Sequence, residues 1–264
     1  MLGISSSLVK GGSSLLTFVK DNLKLYLDFN SKKSDTLKFP SEGSTSFNGA
    51  DDIINCGSDS SLDNIFNGGG GTLSAWIYPN SDGEGDDGRI AEKRDDGTGW
   101  TFVVREESSG SCKIRLFVNY STTNGVYTSE ADVTIGAWNH VAVTYDTSGA
   151  GSSYRPTFYV NGVVSALSAI TDSAGTADSD ASEDFTIGGN KTPLDRCFDG
   201  KIANVGLWSR VLEPEEIQSI QNKSYSQLKG VEKTSLVSWW ALDTDFNDSK
   251  GSNNGTNNGA TINN

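Results

Sequence analysis

The chain has 264 residues, and its 34 acidic and 21 basic side chains give a formal net charge of −13 at pH 7. An acidic surface repels phosphate backbones, and no stretch approaches the roughly 18 apolar residues of a membrane span, so the composition argues against nucleic-acid binding and against a helical membrane protein. The 30 glycines and 5 prolines suit many strands joined by glycine-dependent turns, in one large all-β domain or two small ones.

The first part of the chain predicts an arm followed by strands. Residues 1–22 are rich in serine, glycine and leucine and predict an amino-terminal arm without a core of its own. Beyond it, short blocks of alternating polar and apolar residues predict strands at residues 23–29, 45–49, 51–54, 73–79, 89–93, 100–105 and 113–119. Glycine turns about every 8–12 residues are typical of a two-sheet sandwich or jelly roll.

The clearest strand of the sequence is residues 139–145. Val141, Val143 and Tyr145 alternate there with small or polar residues, which is the period of a strand with one face in a core. Further along, Asn161-Gly162 lies between β-branched residues and predicts a tight type I′ hairpin turn. The two segments predict antiparallel strands.

An acidic loop and a helix follow. Residues 171–184 carry five acids and no basic residue, and we interpret them as a solvated loop. Strands resume at residues 184–189 and 201–208. A helix is predicted at residues 212–220. Pro214 suits a first helical position, and the positive end of the helix dipole stabilises acidic side chains in the first turn. Its apolar residues Leu212, Ile217 and Ile220 can share one face that packs on the sheet.

The carboxyl-terminal segment resembles the first strand in pattern. Residues 236–243 are either a strand that returns to pair beside residues 23–28 or the opening strand of a second domain. About 25 residues cannot build a core, so we prefer the returning strand. The predicted organisation is therefore an arm (1–22), one domain (23–225), and a linker with a returning strand and an Asn/Gly-rich tail (226–264).

The three cysteines do not indicate a metal or disulfide framework. Cys56, Cys112 and Cys197 are far apart and odd in number, so at most one pair can form a disulfide. We interpret them as small apolar residues of a protein that matures in a reducing cytosol. Residues 1–10 predict neither a signal peptide nor a membrane anchor.

Together these segments resemble the laminin-G-like jelly-roll domains of the concanavalin A-like lectin/glucanase superfamily. The matching segments are residues 46–52, 73–79, 138–143, 158–162, 185–189, 198–202 and 210–217. The resemblance implies an all-β fold, a two-sheet antiparallel β-sandwich with one short helix on its carboxyl-terminal side. Residues 236–256 resemble the opening strand of the family, displaced here to the other end. Residues 1–12 resemble the amino ends of virion proteins of marine tailed phages that carry this domain.

The residues do not predict catalysis. Endoglucanases built on this sandwich carry a Glu-x-Asp-x-x-Glu arrangement on one strand, and no predicted strand contains it. His140, the single histidine, is interpreted as part of the sheet, because no serine or cysteine lies in a recognisable nucleophile elbow. The sequence therefore predicts a protein that is not an enzyme.

Candidate binding residues are few. Trp100, Tyr120, Tyr127 and Tyr154 lie at loop or strand margins, where they either stack on a sugar or close the core or a subunit contact. Residues 82–93 begin like a calcium loop but lack the glycine and glutamate that an EF-hand needs at its sixth and twelfth positions. Because the resembled family binds Ca²⁺ at loop edges, Asp199, Asp243 and Asp248 are the candidate calcium ligands.

Two functional hypotheses follow from these observations. The first is a non-enzymatic virion structural protein of a tailed phage, displayed on the capsid or tail and assembled in the host bacterial cytoplasm. Its partners are other virion proteins, further copies of itself and a host-surface glycan, with no nucleic acid and no membrane insertion. The alternative is a secreted, calcium-dependent carbohydrate-binding module.

Overall fold

The computed structural model describes residues 43–95, 97–192 and 194–263. The predicted arm at residues 1–22 and the predicted strand at residues 23–29 lie outside the described residues. In chain order the strands are β1 (Ser44–Asn48), β2 (Ile53–Asn55), β3 (Gly71–Pro79), β4 (Gly88–Asp95), β5 (Thr98–Ser108), β6 (Ser111–Val118), β7 (Gly125–Ser129), β8 (Val133–Thr134), β9 (Asn139–Tyr145), β10 (Thr157–Val160), β11 (Val163–Ser165), β12 (Leu167–Thr171), β13 (Phe185–Ile187), β14 (Asn190–Lys191), β15 (Leu194–Asp195), β16 (Asp199–Trp208), β17 (Leu236–Trp240), β18 (Thr256–Asn258) and β19 (Thr261–Asn263). Helix α1 spans Pro214–Ile220, and 3₁₀ turns lie at Ser60–Leu62, Glu84–Asp86, Ser152–Tyr154 and Tyr225–Gln227.

The strands form two antiparallel sheets that share one hydrophobic core. The first sheet has the order β11-β10-β9-β3-β16-β1-β19, with β17 also paired to β16. The second sheet has the order β12-β7-β6-β5-β4-β13-β2-β18, with β8 paired to β6. The short β14 and β15 pair with each other outside both sheets. The predicted all-β, two-sheet sandwich with one short helix is therefore confirmed.

The alternation of each strand decides which side chains reach the core. Along β6, Cys112, Ile114, Leu116 and Val118 are buried in the core, while the residues between them are only partly buried. Because side chains of a strand point to alternate faces, those intervening residues lie on the outer face of the second sheet. This outer face carries the candidate site described below.

The predicted hairpin is present. Asn161 and Gly162 have φ angles of 54° and 76°, and they join β10 to β11 with Val160 opposite Val163. Two successive positive φ angles are the requirement of a type I′ turn. The Asn161 side chain also accepts a hydrogen bond from the His140 backbone at 2.9 Å, which fixes the turn to β9.

Helix α1 covers the outer face of the first sheet. Its Ile217 and Ile220 are buried in a second apolar cluster with Leu212, Trp208 and Trp239, as the sequence predicts for the helix face. A capping box between Glu213 and Glu216 begins the helix. In the part of the chain that the structure describes, no helix is long and apolar enough to cross a membrane.

The carboxyl-terminal segment belongs to the sandwich. Strand β16 pairs with β1 along its first half and with β17 along its second half, and the backbone turns at Asn204, where φ is 49°. The Asn/Gly-rich tail, in which the sequence indicated no strand, forms β18 on β2 and β19 on β1. The tail thus adds one edge strand to each sheet.

The acidic loop at residues 171–184 is not wholly solvated, which corrects the sequence interpretation. Asp180 is 3% exposed, and its carboxylate accepts hydrogen bonds from the Asn64 backbone at 2.7 Å and from Trp100 Nε1 at 3.1 Å. The buried Lys93 Nζ donates to the backbone carbonyls of Asp180 and Glu183. A buried ammonium group needs hydrogen-bond acceptors, and the loop backbone supplies them to Lys93. These contacts attach the second half of the loop to the sandwich.

Candidate functional site

The outer face of the second sheet carries a cleft with a volume of about 420 Å³. Strands β4, β5, β6 and β7 form its floor. In one cross-strand row, Thr101 on β5 lies between Glu92 on β4 and Phe117 on β6, and Phe117 lies opposite Val126 on β7. The register of four strands therefore brings a hydroxyl, an aromatic ring and an aliphatic side chain together on the floor.

Arginines dominate the walls of this cleft. Five of the seven arginines in the sequence line it: Arg89, Arg94, Arg105, Arg115 and Arg196. The remaining lining residues are Asp87, Thr101, Phe117, Val126, Asn190 and Asp195. The arginines come from three strands and from the loop after β15, so no contiguous basic block exists in the sequence. We refer to this site as the arginine cleft.

Arg89 is buried and holds the wall on the β4 side. Its Nε lies 2.8 Å from Glu92 Oε2, and its Nη1 lies 2.7 Å from Asp87 Oδ2. Glu92 is 2% exposed, and burial raises its pKa to about 7 even though the Arg89 charge lowers it. Arg89 thus pairs with carboxylates of the protein itself and stabilises the β4 side of the cleft.

Arg105 on β5 and Arg115 on β6 are diagonal neighbours, because Arg115 lies opposite Val103. The Arg115 Nη2 contacts Glu106 Oε1 at 2.7 Å, and its Nε donates to Thr128 Oγ1 at 2.8 Å. Burial, followed by the neighbouring Arg105 charge, lowers the pKa of Arg115. The contacts of Arg105 with Glu106 and Asp87 are long, at 3.4 and 3.7 Å, and its Nε is buried without a hydrogen-bond partner among the described residues. Arg105 is therefore poorly satisfied within the cleft.

Arg94 lies at the other end of the cleft. Its Nε donates to Asn119 Oδ1 at 3.2 Å, and its guanidinium carbon lies 4.9 Å from the centre of the Phe117 ring. Stacking on an aromatic face fixes the plane of a guanidinium group while leaving its edge available. Among the described residues, no hydrogen bond involves the two terminal nitrogens of Arg94.

The calcium-like loop at residues 82–93 contributes a wall instead of a metal site. Asp82 is 7% exposed, and its carboxylate accepts a hydrogen bond from the Glu107 backbone at 2.9 Å. The backbone carbonyl of Gly85 accepts from Arg196 Nη1 at 3.2 Å. The loop therefore closes the cleft beside Arg196.

The cleft is locally positive on an acidic protein. Its five guanidinium groups outnumber the four carboxylates that contact them, Asp87, Glu92, Glu106 and Asp195, although the whole chain carries −13. The planar forks of Arg94 and Arg105 can hold oxyanions in bidentate pairs. The floor adds a hydroxyl and an apolar surface, so the arrangement suits a polar ligand that carries negative groups.

Three of the four predicted ligand-binding aromatics are core residues. Trp100, Tyr120 and Tyr127 are 2%, 4% and 0% exposed. Trp100 packs edge-on against two phenylalanines, and the Tyr120 hydroxyl lies 3.0 Å from that of Tyr145. Their ring faces are thus unavailable for stacking on a sugar, while Tyr154 is exposed in the loop before β10.

The three candidate calcium ligands do not come together. Asp199 lies opposite Asn48, whereas Asp243 lies beside Gly43, so the length of β1, about 16 Å, separates them. The buried Asp248 carboxylate accepts hydrogen bonds from the backbones of Trp239, Lys250 and Asn253. Within the described ranges, no cluster of three or more metal-ligating side chains exists. These residues do not fit a calcium ion.

His140 is a buried residue of β9 in the first sheet. It is 2% exposed, its ring lies 5.7 Å from that of Trp76, and burial lowers its pKa to about 3. Cys56, Cys112 and Cys197 are free thiols and buried. Burial raises the pKa values of all three.

The arginine cleft was not predicted from the sequence. Alternation places Arg115 and Phe117 on the same face of β6, and this signal is readable from the sequence. The alignment of β4, β5 and β6 is also needed, because it brings Arg89, Val103 and Arg115 into one row. A bulge in β4 between Arg89 and Ala91 changes which side chains of that strand point outward. The alternation of polar and apolar residues does not reveal this bulge.

Comparisons with known proteins agree on the fold. Residues 47–218 match the family described as Laminin_G_3, Concanavalin A-like lectin/glucanases superfamily. No curated protein matches the sequence. A heptameric SAP-like pentraxin of Limulus polyphemus superposes with a TM-score of 0.55 at 14% identity, covering 86% of this chain and 96% of the other.

Two further solved structures are similar to this chain over most of its length. A proposed carbohydrate-binding protein of Bacteroides ovatus superposes with a TM-score of 0.55 at 22% identity, covering 84% of this chain and 59% of the other. The enzymatically active domain of tailspike protein 2 of bacteriophage CBA120 gives a TM-score of 0.47 at 15% identity, covering 82% of this chain and 35% of the other.

Proposed function

The chain belongs to the concanavalin A-like lectin/glucanases superfamily, and on this basis we propose that it is a non-enzymatic saccharide-binding protein whose ligand occupies the arginine cleft. The fold alone does not determine whether a protein binds a saccharide, because binding depends on the residues of a particular site. The proposal therefore depends on the cleft.

The observation that carries the proposal is the composition of the cleft floor and walls. A pyranose ring offers an apolar face and several hydroxyl groups, so its site needs an aromatic or aliphatic surface beside oriented polar groups. Val126 and the half-buried Phe117, whose ring also carries the Arg94 guanidinium, provide the apolar surface, and Thr101 and the arginines provide the polar groups. Helix α1 covers the outer face of the first sheet, which favours the second sheet as the binding face.

The carboxylates of the cleft support binding without catalysis. A glycosidase needs two carboxyl groups that reach the scissile bond from opposite sides. The two carboxylates that line the cleft are both engaged by protein side chains: Asp87 is ion-paired with Arg89, and Asp195 accepts a hydrogen bond from Asn190 at 3.0 Å. Glu92, behind the wall, is nearly fully buried. These contacts favour structural roles for the carboxylates over catalytic ones.

A glycan microarray probed with the purified full chain tests this function. We expect binding to a subset of saccharides that Phe117→Ala weakens and that Val163→Ala, an exposed apolar change on the first sheet, leaves unchanged. Failure to bind any saccharide would refute the proposal. Loss of binding on chelation of calcium would instead favour a calcium-dependent module.

We further propose that the protein is part of a tailed-phage virion. The support is the resemblance of residues 1–12 to virion proteins, and these residues lie outside the described part of the chain. In this proposal the protein assembles with other virion proteins and with copies of itself, and the cleft contacts a host-surface glycan. Mass spectrometry of purified virions tests it, and absence of its peptides from intact particles would overturn it.

A further inference from the structure

We infer that the arginine cleft selects an acidic polysaccharide, with carboxylate or sulfate groups of an extended chain paired to its arginines. This inference rests on the saccharide-binding function proposed above and specifies the class of saccharide. It is argued from the distribution of arginine, the unsatisfied donors, the length of the cleft and its neutral centre.

The distribution of arginine is the first argument. The sequence contains 14 lysines and seven arginines, yet five arginines and no lysine line the cleft. Lysine offers a point charge, whereas the guanidinium fork matches the two oxygens of a carboxylate or sulfate group. A structural role in ion pairs does not require five arginines at one site. The negative charges elsewhere on the protein act weakly here, because salt screens them beyond about 8 Å.

The unsatisfied donors are the second argument. Arg94 uses only its Nε in a hydrogen bond, and Arg105 makes only long ion-pair contacts within the described residues. Arg89, in contrast, is buried and makes short contacts with Glu92 through Nε and with Asp87 through Nη1. Among the described residues, the cleft thus contains one arginine that builds the wall and two, Arg94 and Arg105, with N–H groups that no protein acceptor uses.

The length of the cleft is the third argument. Arg94 lies opposite Gly99 at one end of β5, and Arg105 lies six residues further along the same strand. Six residues of strand span about 20 Å, although both side chains line one cavity. This separation of the two backbone positions suits two anionic groups on one chain better than a single small anion. The neutral floor of Thr101 and Phe117 then lies under the sugar ring between the two charged groups.

The test compares ligands that differ only in charge. Isothermal titration of the full chain uses oligogalacturonate, its methyl ester, a sulfated dextran oligosaccharide and the unsulfated form. We expect one or both acidic ligands to bind at least tenfold more tightly than their neutral counterparts, with an affinity that falls as salt rises. The acidic ligand that binds identifies carboxylate or sulfate as the preferred group.

Two variants locate the anion. Arg94→Gln and Arg105→Gln remove the available forks, and each should weaken acidic binding by about tenfold to a hundredfold. Arg155→Gln is the matched control, because this arginine pairs with Asp172 outside the cleft. It should leave the affinity unchanged. Thermal unfolding of each variant checks that the fold is intact, and the ligand series on the unaltered protein stands if a variant does not fold.

The failure of this inference differs from that of the proposed function. Equal binding of the methyl ester and the free acid, undiminished in both variants, would overturn the acidic selectivity while leaving saccharide binding in place. Equal affinity for a single-stranded oligonucleotide would also overturn it, by showing a general polyanion site. Absence of binding to any saccharide here and on the array would remove the proposed function as well.

Discussion

Stability between about pH 5 and 6 is predicted to depend on two buried groups with opposing effects. Burial lowers the pKa of His140 from 6.5 to about 3, so in this range the unfolded chain binds a proton at His140 and the folded protein does not. Burial raises the pKa of Glu92 from 4.5 to about 7, so here the folded protein holds the proton and the unfolded chain does not. Rising pH therefore stabilises the fold through His140 and destabilises it through Glu92.

The magnitudes follow from proton linkage. Each group contributes a slope of about 1.4 kcal/mol per pH unit while the two states differ by one proton. The slopes have opposite signs and nearly cancel in the unaltered protein. We expect the free energy of unfolding of His140→Gln to fall by about 1.4 kcal/mol from pH 5 to 6 relative to the unaltered protein, and that of Glu92→Gln to rise by a similar amount. In the double variant, the free energy of unfolding should again change little between pH 5 and 6.

Urea unfolding followed by tryptophan fluorescence at both pH values measures these slopes. The comparison uses the change between two pH values within one variant, so packing energy lost equally at both pH values cancels. Ionic strength is held constant because the charge of the neighbouring Arg89 lowers the pKa of Glu92. An unchanged pH dependence in His140→Gln would refute the assignment of His140 as a buried neutral group.

Four further outcomes are expected. Gly162→Ala should cost about 1–2 kcal/mol in urea unfolding, because φ is +76° and the added Cβ would lie 2.8 Å from Gln221 Oε1. The control Gly230→Ala, with no heavy atom within 4 Å, should cost much less, and equal costs would contradict the turn assignment. Asp248→Asn should lower the free energy of unfolding by about 1–3 kcal/mol, since the Asp248 carboxylate accepts hydrogen bonds from three backbone N–H groups. Because these bonds occupy the carboxylate, calcium should not raise the Tm of the unaltered protein, and a calcium-dependent Tm would contradict this structural role of Asp248. The three buried cysteines should resist iodoacetamide at pH 8 until the protein is unfolded, and rapid labelling of the native protein by mass spectrometry would contradict their burial.

Local patterns in the sequence predict most of the described elements. The Asn161-Gly162 turn, the Pro214 helix start and the alternation in β9 act over a few residues, so their physics is present in the sequence itself. The strand pattern and the family resemblance also predict the sandwich. The same patterns fail for Trp100 and Tyr127. Tyr127 is the central residue of β7, a strand that the local pattern did not predict, and β5 begins before Trp100, so both side chains enter the core.

The sequence by itself determined the all-β character, the helix that follows the sandwich and the acidity of the protein, because alternation, turn residues and charge are local or additive properties. Only the tertiary structure decided that the tail adds an edge strand to each sheet and that Asp248 caps backbone groups. It also decided the arginine cleft, because residues far apart in sequence meet there through strand register and a bulge. Long-range pairing depends on the packing of the whole domain, and that information is not contained in any single segment.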